Sequence, residues 1–249
     1  MTARFLWGVK LQKFKYMRLA VMQPYLFPYI GYFQVLNAAE KFVILDDVTF
    51  IKRGWINRNQ ILLNGKPHLF SVPLVKASQN RAIKQTKILY ETNWQANLLK
   101  TLEQAYKKAP LFSPVMEMVS SVISRKYVYI SDMALDSVKE TCAYLDIRTA
   151  IVDSSEIYQN DTLKGEDRII DICLRENASM YINTAGGREL YRAENFERHN
   201  IKLRFINFLP LTYKQFGDSF EPFLSVIDVL MFKEKLEVKE LLERYTLEI

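Results

Sequence analysis

The chain has 249 residues, of which 49% are hydrophobic and 25% charged, and its formal net charge is +6. This composition excludes a disordered chain and predicts a globular protein with a sizeable core. The positive charge suits anionic small-molecule ligands, and the lack of a long Lys/Arg run argues against a nucleic-acid partner. No apolar stretch approaches the roughly 20 residues of a membrane span. The two cysteines are typical of reduced core residues, so we expect a cytoplasmic protein.

Cysteine and histidine usage predicts neither a metal site nor a nucleophile paired with a histidine. Cys142 and Cys173 fall on predicted helices among apolar neighbours, which is typical of reduced core residues. His68 and His199 are far apart, with no cysteine close to either. Residues 1–16 lack the apolar core of a signal peptide, and we predict a poorly ordered, dispensable extension there.

The first elements predict a βαβ unit. Leu19–Met22 is a short apolar run stopped by Pro24, residues 30–39 can form a helix, and Phe42–Leu45 is a second apolar run. Such a unit makes two parallel strands with a right-handed crossover. Residues 56–75 follow as a predicted hairpin around Asn64-Gly65.

The rest of the chain alternates between helices and strands, after a helical insertion at about 93–145 in which Ser131 is a predicted helix cap. Predicted strands cover 149–152, 180–182 and 203–206, and predicted helices cover 166–177, 222–232 and 234–245. This pattern predicts an α/β fold with a mainly parallel, Rossmann-like sheet, an inserted helical region and C-terminal helices. We expect residues 17–249 to form a single domain.

Polar residues after the first two strands are candidate ligand-binding residues, because open α/β sheets bind ligands at the carboxyl ends of their strands. Gln23 offers an amide for paired hydrogen bonds, and Tyr25, Tyr29 and Tyr32 offer stacking faces; the alternative is a rigid turn whose rings fill the core. Asp46-Asp47 can supply one general base or a ligand for a ribose or sugar hydroxyl, and the sequence does not decide between the two residues; the alternative is an Asp that caps the loop.

A basic, aromatic cluster follows the second strand and predicts an anion site. Its members are Lys52, Arg53, Trp55, Asn57, Arg58 and Asn59. A solvated charged surface is the alternative, but the interleaved Trp and Asn residues favour binding.

Two later turns can also hold an anion. One combines Ser154-Ser155 with Lys164 and Arg168, although the serines can equally be helix caps. The other is Asn183 with Gly186-Gly187, whose backbone amides can approach an oxyanion at a helix start. Asp228 lies in an otherwise apolar helix, and we expect it to form an ion pair with one of the arginines.

Several separated motifs together resemble one bacterial protein family. They are QPYLFPYIGYF (23–33), LDDVTFIKRGWINRN (45–59), YKKAPLF (106–112), SSEI (154–157), KGEDRIIDIC (164–173), YINTAGGRELY (181–191) and LSVIDVLMF (224–232). The chain is identified as a member of the WbqC-like family, which implies a role in O-antigen or other surface-polysaccharide synthesis. The first elements are also similar to nucleotidyltransferase-like Rossmann domains, but Tyr29-Ile30-Gly31-Tyr32 lacks both histidines of the H-x-G-H motif.

These observations lead to a functional hypothesis: a transferase that acts on a nucleotide-linked amino sugar by N-acyl or aminoacyl transfer. Asp46 or Asp47 would be the base, and Asn183, Arg58 and the Gly186-Gly187 amides would stabilise developing charge. No cofactor is expected to be tightly bound, and ATP and acyl-CoA are candidate co-substrates. The alternatives are a nucleotidyltransferase-like activating enzyme and a non-catalytic module that binds a sugar nucleotide or a partner. The sequence does not predict an oligomeric state.

Overall fold

The computed structural model describes residues 17–217 and 219–249, so the predicted extension at 1–16 lies outside the described residues. The strands are β1 (Arg18–Met22), β2 (Lys41–Ile44), β3 (Arg58–Leu63), β4 (Lys66–Ser71), β5 (Ala150–Val152), β6 (Met180–Thr184), β7 (Lys202–Phe208) and β8 (Tyr245–Glu248). The α-helices are α1 (Ile30–Ala38), α2 (Trp94–Tyr106), α3 (Phe112–Ser124), α4 (Ile130–Tyr144), α5 (Gly165–Arg175), α6 (Ala193–Glu197), α7 (Val226–Phe232) and α8 (Lys235–Leu242).

A six-stranded sheet with the order β5-β2-β1-β6-β7-β8 forms the centre of the molecule. The first five of these strands are parallel, and β8 pairs antiparallel with β7. The chain winds outward from β1 to β5 and then restarts at β6 on the other side of β1. The mainly parallel α/β fold is therefore confirmed, and the carboxyl ends of β1 and β6 form a topological switch point, where ligands bind in such sheets.

Helices cover both faces of the sheet, which explains why its strands are short, nearly continuous apolar runs. Along β1, Leu19 and Val21 pack with α5 and α6, whereas Ala20 packs with the remaining helices. The helical insertion contains the three helices α2, α3 and α4 and belongs to this second, thicker layer. No helix in the described part of the chain combines the length and the apolar character needed to cross a membrane.

The predicted hairpin is present as β3 and β4, which pair antiparallel in a separate two-stranded sheet. Asn64 and Gly65 both have positive φ, 53° and 72°, as the two central residues of a tight hairpin turn require. This conformation is why the Asn-Gly pair is a specific turn signal.

One local prediction was wrong, and one predicted helix is present but ends earlier than predicted. Ser131 does not cap α4: the cap position is Tyr129, which makes no side-chain cap hydrogen bond, and Ser131 is buried in the first helical turn. The helix predicted over 234–245 ends at Leu242, and the chain then forms β8. Pairing with β7 stabilises that strand; its local signal, the alternation of Tyr245, Leu247 and Ile249 with Thr246 and Glu248, was missed.

Candidate functional site

The loop at residues 23–29 connects β1 to α1 at the switch point and is held rigidly by buried side chains. The amide of Asn59 donates to the carbonyl oxygens of Leu26 (3.0 Å) and Phe27 (2.7 Å). Ser225 Oγ donates to the Phe27 carbonyl at 2.7 Å, and Tyr32 Oη donates to the Gln23 carbonyl at 3.0 Å. Tyr32 and Asn59 therefore support this loop from the core.

A cavity of 520 Å³ lies beside this loop, at the carboxyl edge of the sheet. Among the described residues, no charged side chain lines it. Its walls come from the start of α1, from Ala185 after β6, from the segment after β7 and from the segment before α7. They are Tyr29, Ile30, Gly31, Gln34, Ala185, Asn207, Phe208, Leu209, Pro210, Leu211, Thr212, Tyr213, Phe220, Pro222, Phe223, Leu224, Ser225 and Val229. We call this the first cavity; its chemistry suits a flat or apolar group without charge.

A second cavity of 280 Å³ adjoins the first and shares Tyr29 and Phe223 with it. Tyr25, Trp55 and Asn59 also line it. Burial raises the pKa of Tyr29 to about 12, so its hydroxyl keeps its proton near neutral pH. The structure thus brings two of the three predicted tyrosines together with Trp55.

The Tyr29 ring lies directly over Gly31. A Cβ atom at Gly31 would be 2.3 Å from a carbon of that ring, a distance that no real contact allows. The glycine is therefore needed for the close approach of the ring that separates the two cavities.

The predicted basic cluster continues this surface beyond Trp55. The Arg58 guanidinium lies 5.7 Å from the centre of the Trp55 ring, and its Nε donates to the Gly54 carbonyl at 2.9 Å. Lys52, Arg53 and Arg58 line a third, open cavity of 350 Å³. The amide of Asn57 is used within the fold, because it donates to the Val72 carbonyl at 2.8 Å.

The two adjacent aspartates have different surroundings. Asp47 accepts two hydrogen bonds from Arg168, at 2.8 and 2.7 Å, and another from Ser155. Burial alone would raise the pKa of Asp47, but these hydrogen bonds bring it below its ordinary value. Asp46 accepts from Ser154 Oγ at 2.7 Å, and burial raises its pKa. Asp46 is therefore the better proton acceptor.

Both predicted serines serve this carboxylate cluster after β2 and β5. Ser154 Oγ also accepts from the Glu156 amide at 3.2 Å, which makes it a cap as well as a donor. Arg168 is buried, and its Nε donates to Asn160 Oδ1 at 2.9 Å. Lys164 is exposed and precedes α5. None of these residues lines the three cavities described above.

The turn at residues 183–187 contains its own hydrogen bond, so part of its polar capacity is already satisfied. The Asn183 side-chain oxygen accepts from the Thr184 amide at 2.7 Å, and a Cβ at Gly187 would be 2.8 Å from the Asn183 nitrogen. Gly186 is exposed, and Ala185 reaches the first cavity. The half-buried Gln23 side chain makes no hydrogen bond to any other described residue.

The predicted ion pair of Asp228 with an arginine was wrong. Its fully buried carboxylate accepts from Tyr106 Oη (2.7 Å), Tyr213 Oη (2.8 Å) and Gln215 Nε2 (2.7 Å). Burial raises the pKa of Asp228, and these three hydrogen bonds oppose that rise. Tyr213 also lines the first cavity, so the buried carboxylate anchors part of its wall.

Sequence reasoning missed the walls formed by residues 207–213 and 220–225. A signal was present, since the aromatic and proline-containing segment Phe208–Tyr213 directly follows the carboxyl end of the fifth parallel strand. No cluster of three or more His, Cys, Asp or Glu side chains suited to a metal ion occurs among residues 17–217 and 219–249.

Comparison with known proteins gives one family and one relative. The chain is 26% identical over 216 residues to the uncharacterized protein Rv1507c of Mycobacterium tuberculosis, a match that covers 86% of this chain and 92% of that protein. No solved structure matches the present chain significantly. The sequence profile of the WbqC-like protein family matches residues 23–240, which carry the rigid 23–29 loop, the basic cluster and Asp228. The chain therefore belongs to the WbqC-like protein family.

Proposed function

We propose that this protein is a transferase that acts on a nucleotide-linked amino sugar, with N-acyl or aminoacyl transfer to the sugar amine as its reaction. The observation that carries the proposal is the uncharged aromatic first cavity at a Rossmann-type switch point, continuous with a basic surface beyond Trp55. A nucleotide sugar has the matching parts: a flat base, an anionic diphosphate and a polar sugar.

Each part of the substrate has a candidate binding surface. The base would stack in the first cavity against Tyr29 and Phe223, and the diphosphate would bind Lys52, Arg53 and Arg58. Gln23 and Tyr25 would hydrogen-bond the sugar, since the Gln23 amide makes no hydrogen bond to other described residues.

The reaction needs a base and a stabilised oxyanion. The sugar amine attacks the acyl carbonyl carbon, the amine loses a proton, and the thiol of CoA or the phosphate of an ATP-activated acyl group leaves. Of the two carboxylates we assign the proton to Asp46, because Arg168 already neutralises the Asp47 carboxylate. Asp46 lies outside the linings of the three cavities, so this assignment requires the sugar amine to extend from the cavities to the carboxylate cluster. The amides of Gly186-Gly187, with Asn183 or Arg58, would stabilise the oxyanion. The place of this reaction, cytoplasmic surface-polysaccharide synthesis, is part of the proposal and rests on the family resemblance.

A thermal-shift screen with UDP-, dTDP- and GDP-linked sugars, ATP, CTP and acyl-CoA tests the proposal. A ligand at about 100 times its dissociation constant stabilises the folded state by about 2.7 kcal/mol, which corresponds to several degrees. We expect an amino-sugar nucleotide to raise the melting temperature, and Arg58→Gln to abolish that shift. Arg188→Gln is the matched control, because Arg188 also lies over an aromatic ring, 5.1 Å from the centre of Phe205. No shift with any nucleotide sugar would contradict the proposal.

Nucleotidyl transfer is the second candidate, and the strand order that places β1 beside β6 is the observation that favours it. An enzyme of that class would release pyrophosphate from ATP or CTP when its substrate is present. Pyrophosphate release without acyl transfer would therefore replace the first proposal with the second.

A further inference from the structure

Positive charge is concentrated in one part of this chain. Residues 48–90 contain eight Lys and Arg residues and no Asp or Glu, whereas the whole chain has a net charge of +6. The remainder is therefore net acidic. The basic stretch includes β3, β4 and the turn that holds Lys52 and Arg53.

Large apolar side chains are exposed on the same surface. Trp55 is 40% exposed, Leu69 46% and Phe223 78%. Trp55 and Phe223 line the second cavity together, and Leu69 lines the third cavity beside Lys52, Arg53 and Arg58. Because Arg58 lies over Trp55, these residues form one continuous surface. We call it the apolar–basic strip: Lys52, Arg53, Trp55, Arg58, Leu69 and Phe223.

The cations of the strip are available to an external anion. Neither Lys52, Arg53 nor Arg58 forms an ion pair with a carboxylate in the described part of the chain, and Arg58 donates only to the backbone carbonyls of Arg53 and Gly54. Lys52 and Arg53 are exposed. The strip therefore combines unpaired positive charge with exposed apolar side chains.

We propose that the apolar–basic strip binds the surface of an anionic lipid bilayer. Lipid headgroups supply phosphate for the cations, and the layer just below them accepts Trp, Phe and Leu side chains. The centres of protein–protein interfaces are depleted in lysine, and nucleic acid offers little to an exposed Leu69. A bilayer is the partner that uses both properties at once.

Membrane binding would bring the mouths of the second and third cavities to the lipid surface. Substrates attached to a lipid phosphate would then be accessible to the site. The proposed function places a diphosphate on the same Lys52, Arg53 and Arg58, so a soluble nucleotide sugar would compete with the lipid surface for these cations. Binding to vesicles is measured without nucleotide or reaction, so its outcome is separate from that of the proposed function.

Co-sedimentation with vesicles tests the inference. The full chain is mixed with vesicles of phosphatidylcholine alone and with vesicles of phosphatidylcholine and phosphatidylglycerol in equal parts. We expect binding to the anionic vesicles only, and weaker binding at high salt because screening shortens the reach of the charges. The Lys52→Gln/Arg53→Gln variant should bind about 30-fold more weakly, since each basic residue near an anionic surface is worth about 1 kcal/mol.

Two matched controls separate the strip from general charge and general hydrophobicity. Lys107→Gln/Lys108→Gln removes the same charge from exposed positions outside the strip, and it should bind almost normally. Phe223→Asn suits the positive φ of 59° at that position and should weaken binding, whereas Leu236→Asn on α8, also exposed, should not. Far-UV circular dichroism checks that every variant is folded.

Three results would overturn the inference. They are equal binding to both kinds of vesicle, an equal loss in the two charge variants, and binding to duplex DNA or RNA but not to anionic vesicles. The last result would identify the strip as a nucleic-acid surface.

Discussion

The adjacent carboxylates Asp46 and Asp47 have different partners and therefore different roles. Asp47 forms an ion pair with Arg168. Their side chains are only 9% and 7% exposed, lower values than in the other ion pairs among the described residues. Asp46, one residue earlier, has a hydroxyl partner instead of a cation. Successive side chains at a strand end point to opposite sides, so neighbours in sequence meet different partners.

Arg168→Met should destabilise the protein by about 3–5 kcal/mol, because it leaves the Asp47 carboxylate buried without its cation. Urea unfolding followed by circular dichroism measures the change. Arg188→Met is the control: its ion pair with Glu248 is 43% and 45% exposed, and the expected loss is about 1 kcal/mol or less. Equal losses in the two variants would contradict the structural role of the buried pair.

Asp228 should make stability depend on pH in the opposite sense to Asp47. Burial raises the pKa of Asp228 in the folded state, so the folded protein binds the proton more tightly than the unfolded chain does. Wild-type stability should therefore fall relative to Asp228→Asn as pH rises above the ordinary Asp pKa of about 3.9. The lowered pKa of Asp47 instead gives stability that is lost as pH falls below that value.

Urea unfolding midpoints are measured at about every pH unit from pH 3 to pH 8 for wild type, Asp228→Asn and Asp47→Asn. The comparison separates the contributions of the two carboxylates. A constant difference between wild type and Asp228→Asn across this range would show that the Asp228 pKa is not raised.

The partner of Asp228 could not be read from the sequence. It was predictable that a buried carboxylate needs hydrogen-bond partners. An arginine and a set of three neutral donors both meet this need, and the sequence does not distinguish them. One of them, Tyr106, comes from the helical insertion and is distant in the chain. The position of such a donor depends on tertiary packing, which local patterns do not contain.

Helix α1 begins where the first and second cavities meet. Gly31→Ala favours the helix by about 1 kcal/mol in intrinsic propensity but forces the Tyr29 ring away from its position. We expect a folded protein whose thermal shift with a nucleotide sugar is reduced or lost. Gly186→Ala is the control, because the nearest atom to its new methyl group would be 4.0 Å away.

Isothermal titration with the ligand found in the thermal-shift screen measures the effect on affinity. Normal affinity in Gly31→Ala would mean that the Tyr29 ring does not shape the binding site. Weaker affinity in Gly186→Ala would instead point to the glycine turn after β6.

Elements with strong local signals were predictable, and elements determined by pairing were not. The Asn64-Gly65 turn and the apolar run of β1 each specify their own conformation. By contrast, β8 is a short edge strand that pairs with β7 alone, and α3 has no individual prediction within the helical insertion. The same difference applies to the site: strand ends were predictable, and the wall at 220–225 was not.

At the scale of the whole molecule, the site depends on the order of the strands. Residues after β1, β6 and β7 meet at one edge because β6 returns to lie beside β1. The alternation of strands and helices predicts a parallel sheet but not which strands are neighbours. The carboxylate cluster after β2 and β5 is consequently separate from the first cavity, although the sequence places Asp46 close to the 23–29 loop.

Strand β8 closes the sheet beside the first cavity, and its removal should affect the whole molecule. It pairs with β7 from Phe205 to Phe208, and Asn207 Nδ2 donates to Glu248 Oε1 at 3.0 Å. Deletion of residues 245–249 should cost about 2 kcal/mol or more in lost ladder hydrogen bonds. It should also expose the β7 edge and promote self-association.

Light scattering coupled to size-exclusion chromatography measures the self-association, and urea unfolding measures the stability. Deletion of Ile249 alone keeps the strand and should leave both unchanged. Because Asn207 and Phe208 line the first cavity, the longer deletion should also weaken nucleotide-sugar binding. If the longer deletion variant has the same stability and the same oligomeric state as the full chain, β8 is dispensable to the sheet. If its affinity for the nucleotide sugar is unchanged, the part of the cavity wall formed by β7 does not need β8.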